Sequence, residues 1–179
     1  KFDIKDASLF LETYNPELNY KNLNIPIENI KVYLDFISLI KSKPKIDKIN
    51  LLSEEIDINQ LKKIIIKTKP SNFSSIINNR LTKGKLVTNV ELYFNDNLQL
   101  TNFIAKGEVK EMNAIVNNNL ILRDTSFNFF TDNSDSLIKN INGKMDGFLI
   151  KNGDLKIERD KNLIIKSNFH TDVDLNDQN

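Results

Sequence analysis

The chain has 179 residues with 25 basic and 24 acidic side chains, a formal net charge of +1, and 40% apolar content. That is enough for one globular unit with a real core, and the interspersed charges leave no basic footprint for nucleic acid. The absence of cysteine excludes disulfides, thiolate metal sites and a Cys nucleophile.

In chain order, Phe2–Leu11 reads as a strand broken by Asn15-Pro16. A short strand is expected over Leu18–Ile25 and a longer one over Ile27–Phe36, with Pro26 between them. Phe36-Ile37-Ser38-Leu39-Ile40 reads as one helical turn or a bend before Lys41-Ser42-Lys43-Pro44, and Ile46–Leu52 returns to strand. Ile58–Lys69 is open between helix and irregular strand, because its β-branched run fits either. A helix is expected over Ser71–Leu81: Pro70-Ser71 opens it with Ser71 as N-cap, Phe73, Ile76, Ile77 and Leu81 recur at a 3.6 period, and Gly84 follows.

From Lys83 onward the period is two. Leu86, Thr88, Val90, Leu92 and Phe94 share one strand face, and Val87, Asn89, Glu91 and Tyr93 share the other. The pattern returns at Thr125, Phe127, Phe129 and Thr131, and at Leu163, Ile165, Ser167, Phe169 and Thr171. Turns are expected at Asn95-Asp96-Asn97, Asp132-Asn133-Ser134-Asp135, Asn152-Gly153-Asp154 and Asp160-Lys161-Asn162. Connections this short make neighbouring strands antiparallel. The expected fold is mainly β: one long, curved antiparallel sheet with one or two short helices. The domain reading is a single unit over 1–179, irregular over 1–82 and a meander over 83–175. Gly107-Glu108-Val109 and Gly143-Lys144-Met145, 36 residues apart, are a faint internal echo.

Catalytic and metal-binding patterns are sparse. His170, Asp172 and Asp174 line one strand face, but no second His exists to complete a zinc site. A nucleophilic triad would need His170, and Ser167 beside it has no G-x-S-x-G elbow. Asp132–Ser136 lacks the glycine and distal glutamate of a calcium loop. The expectation is a non-enzymatic chain without metal or cofactor. No apolar run approaches the ~20 residues that span a bilayer.

The order of phrases in Leu18–Leu61 resembles the N-terminal part of AsmA-like proteins. It runs from the bend Phe36-Ile37-Ser38-Leu39-Ile40 through Lys41-Ser42-Lys43-Pro44 and a strand from Ile46 to Ile56-Asp57-Ile58. Ala7-Ser8-Leu9-Phe10-Leu11, Gly84-Lys85-Leu86 and Phe103–Val109 are similar to strand phrases of that family. The resemblance implies a repeating β-groove whose apolar trough accepts phospholipid acyl chains and serves transport between membranes and outer-membrane biogenesis. It further implies a periplasmic location, attachment to the bacterial inner membrane through a segment not present here, and contact with adjoining parts of the same protein. Candidate trough residues are Leu86, Val90, Leu92, Phe94, Phe127 and Phe129, with the helix bearing Phe73, Ile76, Ile77 and Leu81 as a cap. Periodicity alone favours closure of the apolar face on itself; the competing readings are a β-sandwich adhesion or binding module and a β-solenoid enzyme.

Overall fold

A computed structural model describes residues 9–67, 72–117, 120–146, 148–159 and 162–172. The first strand, β1 (Leu9–Tyr14), ends at Asn15, which takes a positive φ before Pro16. The stretch expected as one short strand is two, β2 (Leu18–Tyr20) and β3 (Leu23–Ile25), which form a separate hairpin. Lys21 and Asn22 both take positive φ between them, as a tight two-residue turn requires.

β4 (Ile27–Leu34) runs into α1 (Phe36–Ile40). Asp35 Oδ1 accepts the Ile37 backbone N–H at 2.9 Å and so caps that turn. The buried Ser38 hydroxyl donates to Asp35 O and accepts from the Lys45 N–H, fixing the return into β5 (Ile46–Ser53). After β6 (Ile56–Asp57), the ambiguous stretch is α2 (Ile58–Ile66). A capping box decides it. Asp57 Oδ1 accepts the N–H groups of Asn59 and Gln60, and Gln60 Oε1 accepts the N–H of Asp57.

The next helix is α3 (Asn72–Arg80); its expected opening, Pro70-Ser71, lies outside the described residues. Leu81, expected as the last helical residue, instead begins β7 (Leu81–Phe94). The β-branched and alternating residues that follow it draw the chain into the sheet at that point. The remaining strands are β8 (Leu100–Asn117), β9 (Leu120–Asp132), β10 (Asp135–Met145), β11 (Phe148–Arg159) and β12 (Leu163–Asp172).

Ten strands form one antiparallel sheet in the order β1-β4-β5-β7-β8-β9-β10-β11-β12, with β6 pairing beside β5 on β7. They do not divide into the two facing sheets of a sandwich, and they do not close into a barrel. Asn152-Gly153-Asp154, expected as a turn, lies inside β11 and is a bulge: three residues there oppose two on β12. The β10–β11 reversal falls instead at Asp146, which takes a positive φ, just before Gly147.

Bulges mark four successive strands. Glu111 in β8, Asp124 in β9, Asn140 in β10 and Asn152 in β11 all take positive φ where the register shifts. A bulge bends its strand and raises its twist, so this belt bends the broad sheet.

Candidate functional site

Residues directly opposite each other on antiparallel strands share a face. The registers therefore trace one face through the whole sheet. Leu11 opposes Val32, Val32 opposes Ile49, and Ile49 opposes Leu92. Leu92 opposes Phe103; one step along, Val90 lies between Leu51 and Ala105. Thr88 opposes Gly107 and Leu86 opposes Val109, which brings Phe129 and Phe127 to the same face through β8. Phe129 opposes Ile138, Ile138 opposes Leu155, and Ile157 opposes Ile165.

Five of the six candidate trough residues, Leu86, Val90, Leu92, Phe127 and Phe129, thus lie on one apolar face. Phe94 lies opposite Leu100, beyond a register shift that separates it from Tyr93. The glycine at 107 leaves room for Phe129: a Cβ there would sit 3.0 Å from the Phe129 ring. At a strand spacing of ~4.8 Å the face runs about 38 Å across nine strands, and Leu86 to Leu92 spans about 20 Å along the strand.

The opposite face carries the charged pairs, interspersed with apolar side chains such as Val87, Ile104, Phe130 and Leu137. Lys31 pairs with Glu12 at 3.2 Å, Lys48 with Glu91 at 3.5 Å, and Lys156 and Lys166 both reach Glu158. The Asn50 carboxamide donates to Asn89 Oδ1, and Asn29 to Glu12. Tyr93 donates its phenol to Glu91. That bond holds the carboxyl below its ordinary range and pushes the phenol up to about 12. Such solvated pairs contribute little to stability; they define which side faces water.

Among the described residues, the helices α2 and α3 pack on the sheet rather than pair within it. They rest against β6, β7 and β8, where Ile56, Ile58, Ile77 and Ala114 are buried. Ile56 pairs with Leu86 and so lies on the apolar face, beneath this end cover. Of the candidate capping residues, Ile77 is buried at 5% exposure and Ile76 is exposed at 56%; the Phe73 side chain lies outside the described residues, and Leu81 is in β7. Away from the helices, Val32, Ile49, Val90, Leu92, Phe103, Phe127, Phe129 and Ile138 remain only half-buried.

One charged side chain stands on the traced face. Arg159 opposes Leu163, two residues beyond the Ile157–Ile165 pair, at the rim formed by the β9–β10 turn and the β11–β12 connection. Its Nη2 donates to Ser136 Oγ at 2.8 Å, and Ser136 Oγ lies 2.7 Å from Thr131 Oγ1. Asp132 turns its carboxylate into the β9–β10 turn, where Oδ1 accepts from the backbone of Ser134 and Asp135. The Asp135 N–H is the main reason its pKa falls, and the Arg159 charge adds to it. His170 on β12 opposes Lys151 on β11, and Asp174 lies outside the described residues.

Periodicity gives the apolar face but misses Arg159, Ser136 and Thr131 as a group. The signal that could have flagged them is a charged residue in phase with Leu155 and Ile157. The chain was compared with known protein families, with characterised proteins and with solved structures, and none of the three gives a match.

Proposed function

We propose that the apolar face is an acyl-chain-binding surface and that the chain is a non-enzymatic module for lipid handling in a bacterial envelope. One observation carries the reading. A face continuous across nine strands is apolar up to its rim, yet among the described residues helices cover only one end of it. Fully burying a large aliphatic or aromatic side chain is worth roughly 1.5–3 kcal/mol. Side chains left half-buried forgo part of that, and acyl chains laid along the face would supply it. The helices α2 and α3 would then close one end of the trough. The resemblance to AsmA-like proteins points the same way and supplies the periplasmic setting, phospholipid as cargo and an anchor outside this chain.

The test is site-specific photocrosslinking with p-benzoylphenylalanine at Phe129 and at Asn128, which lie on opposite faces. Lipid adducts should form from position 129 and not from 128. Equal adducts from both positions, or none from either in envelope preparations, would overturn the reading.

A further inference from the structure

Arg159 is out of keeping with its surroundings. From Leu9 on the first strand to Ile165 on the last, the residues traced on this face by direct pairing up to the bulges are apolar, glycine, serine or threonine, with Arg159 as the one charge. It is also aimed. Thr131 Oγ1 donates to the Asp135 carbonyl at 3.1 Å, so the Ser136 hydroxyl donates to Thr131 and its oxygen is free to accept from Arg159. This relay holds the guanidinium over the rim through one of its five N–H donors. The others are not used by Ser136. The neighbouring acid, Asp132, belongs by register to the opposite face and has its Oδ1 occupied by the turn. At the same rim, Lys45 is already paired with Asp96 at 2.8 Å.

We propose that Arg159, positioned by Ser136 and Thr131, is a head-group site for an anionic phosphodiester lipid whose acyl chains lie on the adjoining face over Ile157, Ile138 and Phe129. The proposal rests on the reading of that face as an acyl-chain surface. A guanidinium fork matches two phosphate oxygens, which a lone ammonium does not. A diacyl phosphodiester fits better than a single-chain carboxylate because two chains cover more of a face that spans nine strands.

The experiment uses the purified chain and phosphatidylcholine vesicles doped with one photoactivatable lipid. The dopant is phosphatidylglycerol, diacylglycerol or a fatty acid, each carrying the same labelled acyl group. Adducts per chain are counted by mass spectrometry for wild type, Arg159→Gln, Arg159→Lys and Phe129→Asp, with thermal melts confirming that each variant is folded. Wild type should take up more phosphatidylglycerol than diacylglycerol. Arg159→Gln should cut the phosphatidylglycerol signal roughly three- to tenfold, the range of a charge-assisted bond at a partly solvated site, and leave diacylglycerol unchanged. Arg159→Lys should restore part of the difference. Equal uptake of phosphatidylglycerol and diacylglycerol by wild type, or an unchanged preference in Arg159→Gln, overturns the head-group site while leaving the acyl surface standing. A fatty acid preferred over phosphatidylglycerol, with that preference lost in Arg159→Gln, overturns the phosphodiester assignment. No adduct with any lipid, or adducts undiminished in Phe129→Asp, sinks the acyl surface itself.

Discussion

Asn142 and Asn152 are latched across β10 and β11: the Asn152 backbone N–H donates to Asn142 Oδ1 at 3.1 Å. The latch is reciprocal, because the Asn140 N–H donates to Asp154 Oδ1 at 3.3 Å. Asn140 and Asn152 are the positive-φ bulge residues, and each acceptor lies two residues after a bulge. The same spacing recurs in β8, where Asn113 follows the bulge at Glu111 and accepts the N–H of Asp124 at 2.9 Å. A bulge leaves one residue out of the ladder, and these side chains receive the N–H that the ladder drops.

Removing an acceptor should loosen its own bulge. Asn142→Ala and Asp154→Ala are each expected to cost about 0.5–1.5 kcal/mol, the net worth of one bond. The double variant should cost less than the sum, because both latches hold one pair of facing bulges. Urea melts give the energies. Hydrogen exchange gives the location: the amide of residue 152 should quicken in Asn142→Ala and that of residue 140 in Asp154→Ala. Unchanged exchange at those two amides would show that the latches carry nothing.

Gly143 should resist enlargement. A Cβ there would lie 2.4 Å from Thr125 Oγ1 and 3.0 Å from Thr125 Cα, and Thr125 is 1% exposed. The backbone cannot yield as a flexible side chain would. Gly143→Ala is expected to destabilise by about 1–3 kcal/mol, lowering the melting temperature by roughly 3–10 °C. A melt within one degree of wild type would contradict this packing.

Tyr93 should titrate late. Its bond to Glu91 raises the phenol from 10.0 to about 12, so the fold favours the protonated phenol. The stability this contributes is fully present below pH 10 and is lost as pH rises through about 12. Glu91 behaves in the opposite sense. Its pKa is lowered, so its contribution is present above the usual carboxylate range and lost as pH falls. In an absorbance titration of tyrosinate, Tyr93→Phe should remove a transition near 12, and Glu91→Gln should move that transition down toward 10. A phenol at position 93 that ionises near 10 in wild type would refute the pairing.

β12 presents a long edge with Leu163, Ile164 and Ile165 exposed, a pattern that invites pairing with another chain. Ile164 opposes Glu158 and so lies on the face that carries the charged pairs. Ile164→Lys should place a third cation near that carboxylate, beside Lys156 and Lys166, and reduce association at high concentration, read by light scattering. Scattering equal to wild type would show that this edge does not drive association.

Period-two alternation was legible because a strand residue's face is set by its neighbours in sequence; Leu86, Val90 and Leu92 needed nothing else to be placed together. The capping box of Asp57 and Gln60 is just as local, yet the β-branched run after it left Ile58–Lys69 open between helix and strand until the structure showed the cap. Register was not. Asn152-Gly153 favours the positive φ of a turn and of a bulge alike, and only pairing with β12 made it a bulge, while the reversal fell at Asp146. Arg159 shows the same division. Its chemistry is written in the chain, but its neighbours Ser136 and Thr131 lie more than twenty residues away. Only the register of β9, β10 and β11 sets the three side by side on an apolar face, because contacts between strands depend on which residues pair and not on how they follow one another.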